Sequence, residues 1–575
     1  MPRLLALLAA VLIALPLAAS DLTVGWISRL PEIDYVWNST HPEREGWPAV
    51  GEVVVWRGNV RSWFDHEVTV AYEWRLDGLA IASGTTVLTP SALSAIDVAL
   101  PWSFDRRRLS LAIDVSRSVT EESETNNELE VFTDALSLGL WVEQSVYDWF
   151  RAHQRELGVG STSWENWAQR HVALFNDMAA MAVYAETPEG VRDRLRLQKV
   201  VIVPDGALPL VPPPNAGTMD GEPNGMTHPD MSDRTVDLQL GLRASTLRSY
   251  RDTTTATPRN PFYLQPLLLH ELGHARYLTD VYAFDVRHDP PRTVIEVAGV
   301  ETAIAAWRTP ELGLMNRQFT FIDRYSAIAL NRIAGRRATA GNYNDPENVG
   351  IFLNDLPAQN RLTIRDASGA PLPHAKVELY RSRPYGADEW YAAHYDDIPD
   401  LVLQTDANGQ VLVGRNPFAD GPVVHYWRGS NAVAIVKVES DAIERVGFLE
   451  ARTFNLAFWR GDTVLADHEL TVGGAPCGDD APTLLFPAWD AVSATSAVTL
   501  RWAPSPAATD YAVFAARAGE APRLLATTTA TTVAVALDSR TYWWVEARFG
   551  HCPPARSETS RLVVTTPRRR AAARR

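Results

Sequence analysis

Cysteine is scarce in this sequence: among 575 residues there are only Cys477 and Cys552. Two cysteines are too few for a disulfide-rich secreted fold or for a zinc module built from several thiolates. They bracket one short C-terminal stretch, and in an exported protein such a pair predicts a single disulfide bond. Any metal site elsewhere in the chain must therefore use histidine and carboxylate ligands.

Long apolar runs are also scarce. The first twenty residues, MPRLLALLAAVLIALPLAAS, hold about 16 apolar residues in a row, fewer than the ~20 that a membrane span needs. One arginine, an apolar stretch and small residues at the end are typical of a secretory signal peptide. We therefore expect a signal peptide over 1–20, no integral membrane segment, and a secreted or periplasmic protein.

Positive charge is concentrated only in the tail, residues 567–575, which is predicted to be disordered and solvated. The formal net charge of -15 argues against nucleic acid as a partner. The sequence contains no GxSxG motif, no phosphate-binding loop and no dinucleotide fingerprint. These absences argue against a serine hydrolase of that type and against a nucleotide-dependent enzyme.

Short alternating runs dominate both ends of the chain, whose length predicts several domains. GEVVVWRGNV and HEVTVAYEWRLDG predict an antiparallel β-sandwich over residues 21–135. RLTIRDASGAPLPHAKVELYR and QTDANGQVLVG predict a second sandwich over 356–472, and TSAVTLRWAPSPAATDYAVFAAR predicts a third over 473–566. Residues 136–355 mix helical periodicity with strand-like runs, so they predict an α+β domain.

The stretch LLLHELGHARYLTD, in the 136–355 region, concentrates histidine, glutamate and aspartate. His270 and His274 are four residues apart, so on a helix they share one face and can bind one zinc ion at about 2.0–2.1 Å. Glu271 lies about 100° round the helix from His270, where it can act as general base toward water that the metal activates. Pro266 suits the first turn of such a helix. The pattern predicts a catalytic zinc site.

A catalytic zinc site needs a third protein ligand and an open coordination position. Asp280 is ten residues from His270, which is about 15 Å along a continuous helix. It can therefore bind only if the chain turns before reaching it. Four other downstream side chains stay open as candidates: Asp285, His288, Glu296 and Glu301.

The stretch resembles the metzincin zinc peptidases, whose pattern is HExxHxxGxxH or HExxHxxGxxD. His270, Glu271, His274 and Asp280 match this pattern position by position, whereas Tyr277 stands where the family has its turn glycine. The resemblance implies an endopeptidase with one catalytic Zn²⁺ ion. The resemblance rests on four ligand or base positions and one methionine, and it covers only the region 136–355.

Two downstream residues are candidates for supporting roles. The family has a methionine turn beneath the zinc, and ELGLMNRQF would supply it with Met315. Tyr282 could donate a hydrogen bond to the oxyanion that forms on the attacked carbonyl.

The flanking regions resemble common extracellular modules. Residues 21–135 resemble the CARDB modules of exported bacterial proteins in "V.Y.W.LDG..I.SG" and SETNNELEVF. Residues 356–472 look Ig-like or transthyretin-like, and residues 473–566 resemble a fibronectin type III repeat. These resemblances imply binding or spacing, with a cell-surface protein or a polysaccharide as the partner.

Together these features predict a multidomain protein: an α+β zinc-peptidase-like catalytic domain with one β-sandwich before it and two after it. The predicted function is an exported zinc endopeptidase acting on a protein or peptide substrate. The alternative is an exported adhesion or scaffold protein whose peptidase-like domain is degenerate. The intact Glu271 argues against that alternative, because a site kept only for structure does not need a base.

Overall fold

The computed structural model describes residues 20–33, 46–153, 163–208, 235–242, 266–276, 278, 280–286, 294–297, 300–303, 309, 312–316, 320–335, 352–384, 393–395, 397–423, 425–426, 429–473, 481–538, 540–550 and 553–564. Several predicted features lie outside the described residues: positions 1–19 of the signal peptide, the tail 567–575, Tyr277, His288, and both Cys477 and Cys552.

The N-terminal part of the chain is a β-sandwich. Its strands are β1 (Leu22–Leu30), β2 (Val53–Ser62), β3 (Val68–Leu76), β4 (Leu79–Leu88), β5 (Leu93–Pro101), β6 (Arg108–Ile113) and β7 (Glu128–Phe132). They form two antiparallel sheets with the orders β1-β2-β5 and β4-β3-β6-β7. Apolar side chains from both sheets, including the fully buried Trp56 and Trp74, fill one core between them.

A parallel sheet follows. Strand β8 (Leu136–Glu143) lies between β9 (Leu195–Val203) and β10 (Leu238–Leu242), and all pairings are parallel. Strand β8 reads LSLGLWVE and is buried along nearly its whole length. Such a continuous apolar run is typical of a strand that is covered on both faces.

Helices pack around this sheet. They are α1 (Gln144–His153), α2 (Trp164–Met181), α3 (Pro266–His274) and α4 (Arg324–Arg332). Helix α2 begins where the Ser163 side chain accepts the backbone N–H of Asn166, and it packs against β1, β9 and α3. An antiparallel hairpin, β11 (Val294–Val297) and β12 (Val300–Ala303), follows α3 in the chain.

A second sandwich comes next. Its strands are β13 (Gln359–Arg365), β14 (Lys376–Arg381), β15 (Arg383–Pro384), β16 (Ala393–His394), β17 (Leu401–Gln404), β18 (Gln410–Gly414), β19 (His425–Tyr426), β20 (Gly429–Ser430), β21 (Val433–Ser440), β22 (Ile443–Glu450) and β23 (Leu465–Thr471). The main sheets have the orders β18-β13-β23 and β17-β14-β21-β22. Helix α5 (Ala451–Arg460) connects β22 to β23 and ends at Gly461, whose φ is 110°.

The C-terminal sandwich has its own core around Trp502 and Trp543. Its strands are β24 (Leu484–Phe486), β25 (Ala491–Ser493), β26 (Ala497–Trp502), β27 (Asp510–Ala516), β28 (Arg523–Thr528), β29 (Thr532–Ala536), β30 (Thr541–Arg548), β31 (Ala555–Arg556) and β32 (Ser560–Val564). One sheet has the order β24-β26-β29, and the other has the order β25-β32-β30-β27-β28 with β31 paired to β30.

The predicted fold class, an α+β zinc-peptidase-like catalytic domain with one β-sandwich before it and two after it, is wrong. Of the residues that the structure describes, 46% are in strands and only 14% in helices, which fits β-sandwich domains. The parallel sheet and its helices have no separate core, because Leu138 of β8, Leu272 of α3 and Ile435 of β21 belong to one contiguous buried cluster. The short helices therefore bury their apolar faces in a core that the second sandwich completes.

Among the described residues, no helix is both long enough and apolar enough to cross a membrane.

Candidate metal centre

Helix α3 carries two histidines and ends directly after them. It begins at Pro266, and its last residue is His274. Proline has no backbone N–H, but the first N–H groups of a helix have no partner within the helix, so no helical hydrogen bond is lost. Beyond it, the backbone N–H of Leu278 donates to the carbonyl of Gly273 at 3.1 Å. This bond spans five residues and is of the kind that closes a helix C-terminus. The chain thus leaves the helix axis before it reaches Asp280.

Asp280 returns to the two histidines. Its Oδ1 atom lies 3.0 Å from Nε2 of His270 and 3.0 Å from Nε2 of His274. The two imidazole rings are nearly perpendicular, with an interplanar angle of 88° and centroids 4.6 Å apart. His270 and Asp280 are buried, and His274 is half-buried. Within the part of the chain that the structure describes, only this trio of His, Cys, Asp or Glu side chains is grouped closely enough to hold a metal ion.

Backbone carbonyls orient both histidines. Nδ1 of His270 lies 2.9 Å from the carbonyl oxygen of Leu314, and Nδ1 of His274 lies 2.8 Å from that of Leu278. A carbonyl oxygen can only accept a hydrogen bond, so each Nδ1 carries the ring proton and donates it. In the neutral ring, Nε2 then presents a lone pair toward Asp280. Histidines that bind metals are usually held in this way.

The resulting set of atoms fits a zinc ion. Two Nε2 lone pairs and a carboxylate oxygen are all acceptors, and they converge at 3.0 Å, where they repel unless a positive charge lies among them. Ligand atoms in a tetrahedral zinc site, each about 2.0–2.1 Å from the metal, are about 3.3 Å from one another. Two imidazoles and one carboxylate also match the donor types of catalytic zinc sites.

The three side chains change one another's proton affinity. Burial lowers the pKa of His274, but the charge of Asp280 and the hydrogen bonds to Asp280 and Leu278 outweigh it, so the pKa is raised. Burial raises the pKa of Asp280, but the two histidines outweigh it and hold the pKa well below its ordinary value. A proton and a metal cation therefore compete for the same position, and binding of a metal ion releases protons.

A short turn, residues 313–316, lies against α3. It supplies the Leu314 carbonyl that accepts from His270, and its Met315 side chain is completely buried. A Cβ atom added to Gly273 would meet the Met315 sulfur at 2.6 Å, so the turn packs directly on the helix between the two histidines. The structure thus places Met315 against the helix that carries both histidines, and a side chain at position 273 would require Met315 to move.

Glu271 and Tyr282 are the remaining predicted site residues. Glu271 is half-buried on α3, next to His270 in the chain. Tyr282 is half-buried in the 3₁₀ turn Val281–Phe284, and its ring is nearly parallel to that of His270, at 17° and 6.1 Å between centroids. Both side chains therefore belong to segments that carry ligands, and their roles in catalysis stay predictions.

The other candidates for the third ligand are placed differently. Asp285 is buried, and its Oδ1 accepts the backbone N–H of Thr309 at 3.0 Å. Glu296 and Glu301 lie opposite each other in the antiparallel hairpin β11–β12. Of the predicted carboxylates, the structure brings Asp280 to the two histidines.

Sequence reasoning missed the two carbonyl groups that orient the histidines. Main-chain oxygens have no residue-type pattern, so Leu278 and Leu314 carry no feature that marks them as partners of Nδ1 atoms. The nearest clue is the position of Met315, because a turn that packs a methionine against α3 also brings the preceding carbonyl close to the helix.

Among known proteins, the similarities found are to solved structures. No protein-family model matches the chain, and neither does any curated protein. The chain is similar to a CARDB domain from Pyrococcus furiosus, solved in complex with di-metal ions: identity is 17%, the match covers 20% of this chain and 87% of that one, and the TM-score is 0.16.

Two enzymes are also among the similar structures. One is a beta-glucuronidase from Parabacteroides merdae, with 8% identity, coverage of 93% of this chain and 77% of that one, and a TM-score of 0.15. The other is an exo-chitosanase from Amycolatopsis orientalis, with 10% identity, coverage of 93% and 79%, and a TM-score of 0.13.

Proposed function

We propose that the chain is an exported, zinc-dependent endopeptidase that hydrolyses peptide bonds. The observation that supports this most directly is the convergence of Nε2 of His270, Nε2 of His274 and Oδ1 of Asp280, with both Nδ1 atoms held by carbonyls. The spacing of these residues, with Glu271 after the first histidine, also resembles the metzincin motif. The resemblance is one of motif and does not extend to the fold class.

In the proposed hydrolysis each residue of the site has its own role. A zinc ion bound here supplies Lewis acidity, which polarises the substrate carbonyl and lowers the pKa of water. Glu271 accepts the proton of the attacking water and delivers it to the leaving amine. Tyr282 donates a hydrogen bond to the oxygen on which negative charge develops. The Leu278 and Leu314 carbonyls keep the histidines turned so that Nε2 faces the ligand position.

The sandwich modules suit a role in binding and positioning. A CARDB-like module in front of the centre and a further sandwich behind it would hold a cell-surface protein or a polysaccharide near the metal centre. Together with the predicted signal peptide, this supports an activity outside the cytoplasm, in the periplasm or the medium.

Zinc content and peptidase activity, measured on matched variants, test the proposal. The wild-type chain should bind one zinc ion and cleave an unfolded protein such as casein. Glu271→Gln should keep the zinc and lose activity by about 10²–10⁴-fold, because the amide cannot accept the proton. Asp280→Asn should weaken zinc binding strongly, whereas the controls Glu296→Gln and Glu301→Gln should not.

Four results would contradict the proposal or part of it. A wild-type chain without zinc affinity, or a Glu271→Gln chain as active as the wild type, refutes the mechanism. Zinc binding without any peptidase activity favours the adhesion or scaffold protein. Loss of zinc in Glu296→Gln or Glu301→Gln, with retention in Asp280→Asn, reassigns the third ligand.

A further inference from the structure

A buried arginine from α5 contacts the segment that follows Asp280. The side chain of Arg452 is only 2% exposed, and its guanidinium carbon lies 5.2 Å from the ring centroid of Phe284. Phe284 is the last residue of the 3₁₀ turn that begins directly after Asp280. A cation at this distance from an aromatic face is attracted to the ring, most strongly when both are removed from water.

Hydrogen bonds extend this contact to the next residues. Nη2 of Arg452 donates to Oγ1 of Thr309, and the backbone N–H of Thr309 donates to Oδ1 of Asp285 at 3.0 Å. Nη2 also donates to Oε1 of Glu450 at 2.6 Å, which compensates the buried positive charge. Arg452 thus connects the end of strand β22 to both Phe284 and Asp285.

The same guanidinium also contacts helix α4, which lies next to the turn that orients His270. It lies 5.5 Å from the ring centroid of Tyr325 in α4. Asp323 caps the start of helix α4 and packs so closely on Gly313 that a Cβ atom on Gly313 would meet Oδ2 of Asp323 at 2.6 Å. Gly313 opens the turn 313–316, whose Leu314 carbonyl accepts from His270.

From these contacts we propose that Arg452 is a positioning residue of the metal centre. It lies between the segment that carries Asp280 and the helix that supports the carbonyl partner of His270, and it holds both at a fixed separation. The second sandwich, which supplies Arg452, is then a structural part of the centre and more than an attached binding module. This inference rests on the zinc site of the proposed function.

Arginine is suited to this position by its shape. Its planar guanidinium can stack on Phe284 and Tyr325 while its N–H groups donate in the plane to Thr309 and Glu450. Lysine has a compact ammonium group that cannot make all of these contacts at once. We therefore expect Arg452→Lys to restore the charge but only part of the zinc affinity.

Zinc affinity of the full-length chain, measured by competition with a chelating dye, tests the inference. Arg452→Gln should bind Zn²⁺ about 10–100-fold more weakly, as is typical when groups that orient metal ligands are lost. Co²⁺ substituted for zinc should give a shifted d–d absorption spectrum, because the ligand geometry changes. The matched control is Arg460→Gln: Arg460 lies on the same helix, is 42% exposed and pairs with Glu186 instead.

A second variant tests the same inference if Arg452→Gln does not fold. Arg452→Met combined with Glu450→Gln removes both buried charges and leaves no unpaired carboxylate. Wild-type zinc affinity and spectrum in a folded Arg452 variant, or an equal loss in Arg460→Gln, overturns the inference. Failure of the proposed function is distinguishable, because then the wild-type chain itself either binds no zinc or binds it without cleaving peptides.

Discussion

Gly273 has no room for a side chain, so replacing it with alanine tests how the turn 313–316 supports the metal centre. The new Cβ would lie 2.6 Å from Sδ of Met315 and 3.2 Å from Cδ2 of Leu314. Such atoms are comfortable at about 3.5–4.0 Å, so the sulfur must retreat by about 1 Å. Met315 is 0% exposed and has no solvent to move into, so the whole turn must shift.

The expected magnitudes follow from this displacement. Overpacking of a core costs about 1–3 kcal/mol, whereas alanine in place of a helical glycine gains about 1 kcal/mol. The free energy of unfolding of Gly273→Ala should therefore fall by about 0–2 kcal/mol. Zinc affinity should also fall, by about 10–100-fold, because the Leu314 carbonyl moves with the turn. Metal ligands tolerate a displacement of only about 0.5 Å from their productive positions.

A double-mutant cycle with Met315→Ala isolates the contact. Met315→Ala alone should cost about 2–5 kcal/mol, because it leaves a cavity under α3. In the double variant the new methyl group of residue 273 occupies part of that cavity. The free energy of unfolding should therefore fall by about 1–2 kcal/mol less in the double variant than the sum of the decreases in the two single variants. Urea unfolding in the presence of EDTA measures the free energies, and dye competition measures zinc affinity. Effects that add within about 0.5 kcal/mol would refute the reasoning.

Three further predictions concern other parts of the chain. Tyr282→Phe keeps the ring beside His270 but removes the donor, so kcat should fall by about 10²–10³-fold with zinc content unchanged; steady-state kinetics with an unchanged kcat would exclude the role. Burial raises the pKa of Glu121 to about 7, above the value of 4.5 for a free glutamate, so its favourable contribution is complete below pH 4.5 and is lost as the pH rises through 7. Glu121→Gln should therefore raise the Tm more at pH 8 than at pH 5, and an equal change at both pH values speaks against it. Arg556 lies between the rings of Phe321 and Trp544, at 4.0 and 4.1 Å, so Arg556→Ala should loosen the C-terminal sandwich and split the calorimetric transition in two; a single unchanged transition would show that the contact contributes little.

The local parts of the site were predictable from sequence. A helix that starts at Pro266 and places His270 and His274 on one face follows from spacing alone. The return of Asp280 is less local, because it depends on how the helix ends. The bond from the Leu278 N–H to the Gly273 carbonyl closes the end of the helix. The sequence does not indicate this turn, because Tyr277 stands where the metzincin motif has a glycine.

The larger fold was not predictable in the same way. Helical periodicity in residues 136–355 suggested an independent α+β domain, but periodicity does not say which surface a helix packs against. Leu272 and Ile435, far apart in the chain, share one core. The hairpin around Glu296 and Glu301 did carry a usable pattern, since VIEV and VETA are short runs rich in β-branched residues.

The carbonyl partners of His270 and His274 have a consequence for how the site can vary. Their oxygens belong to the backbone of Leu314 and Leu278, so no single substitution can delete either acceptor. The acceptors that orient the two histidines therefore do not depend on which residues stand at these positions. They depend on the path of the backbone. Any substitution at Leu278 or Leu314 that keeps this path also keeps the acceptor, and a search based on residue types will detect the histidines but not the groups that orient them.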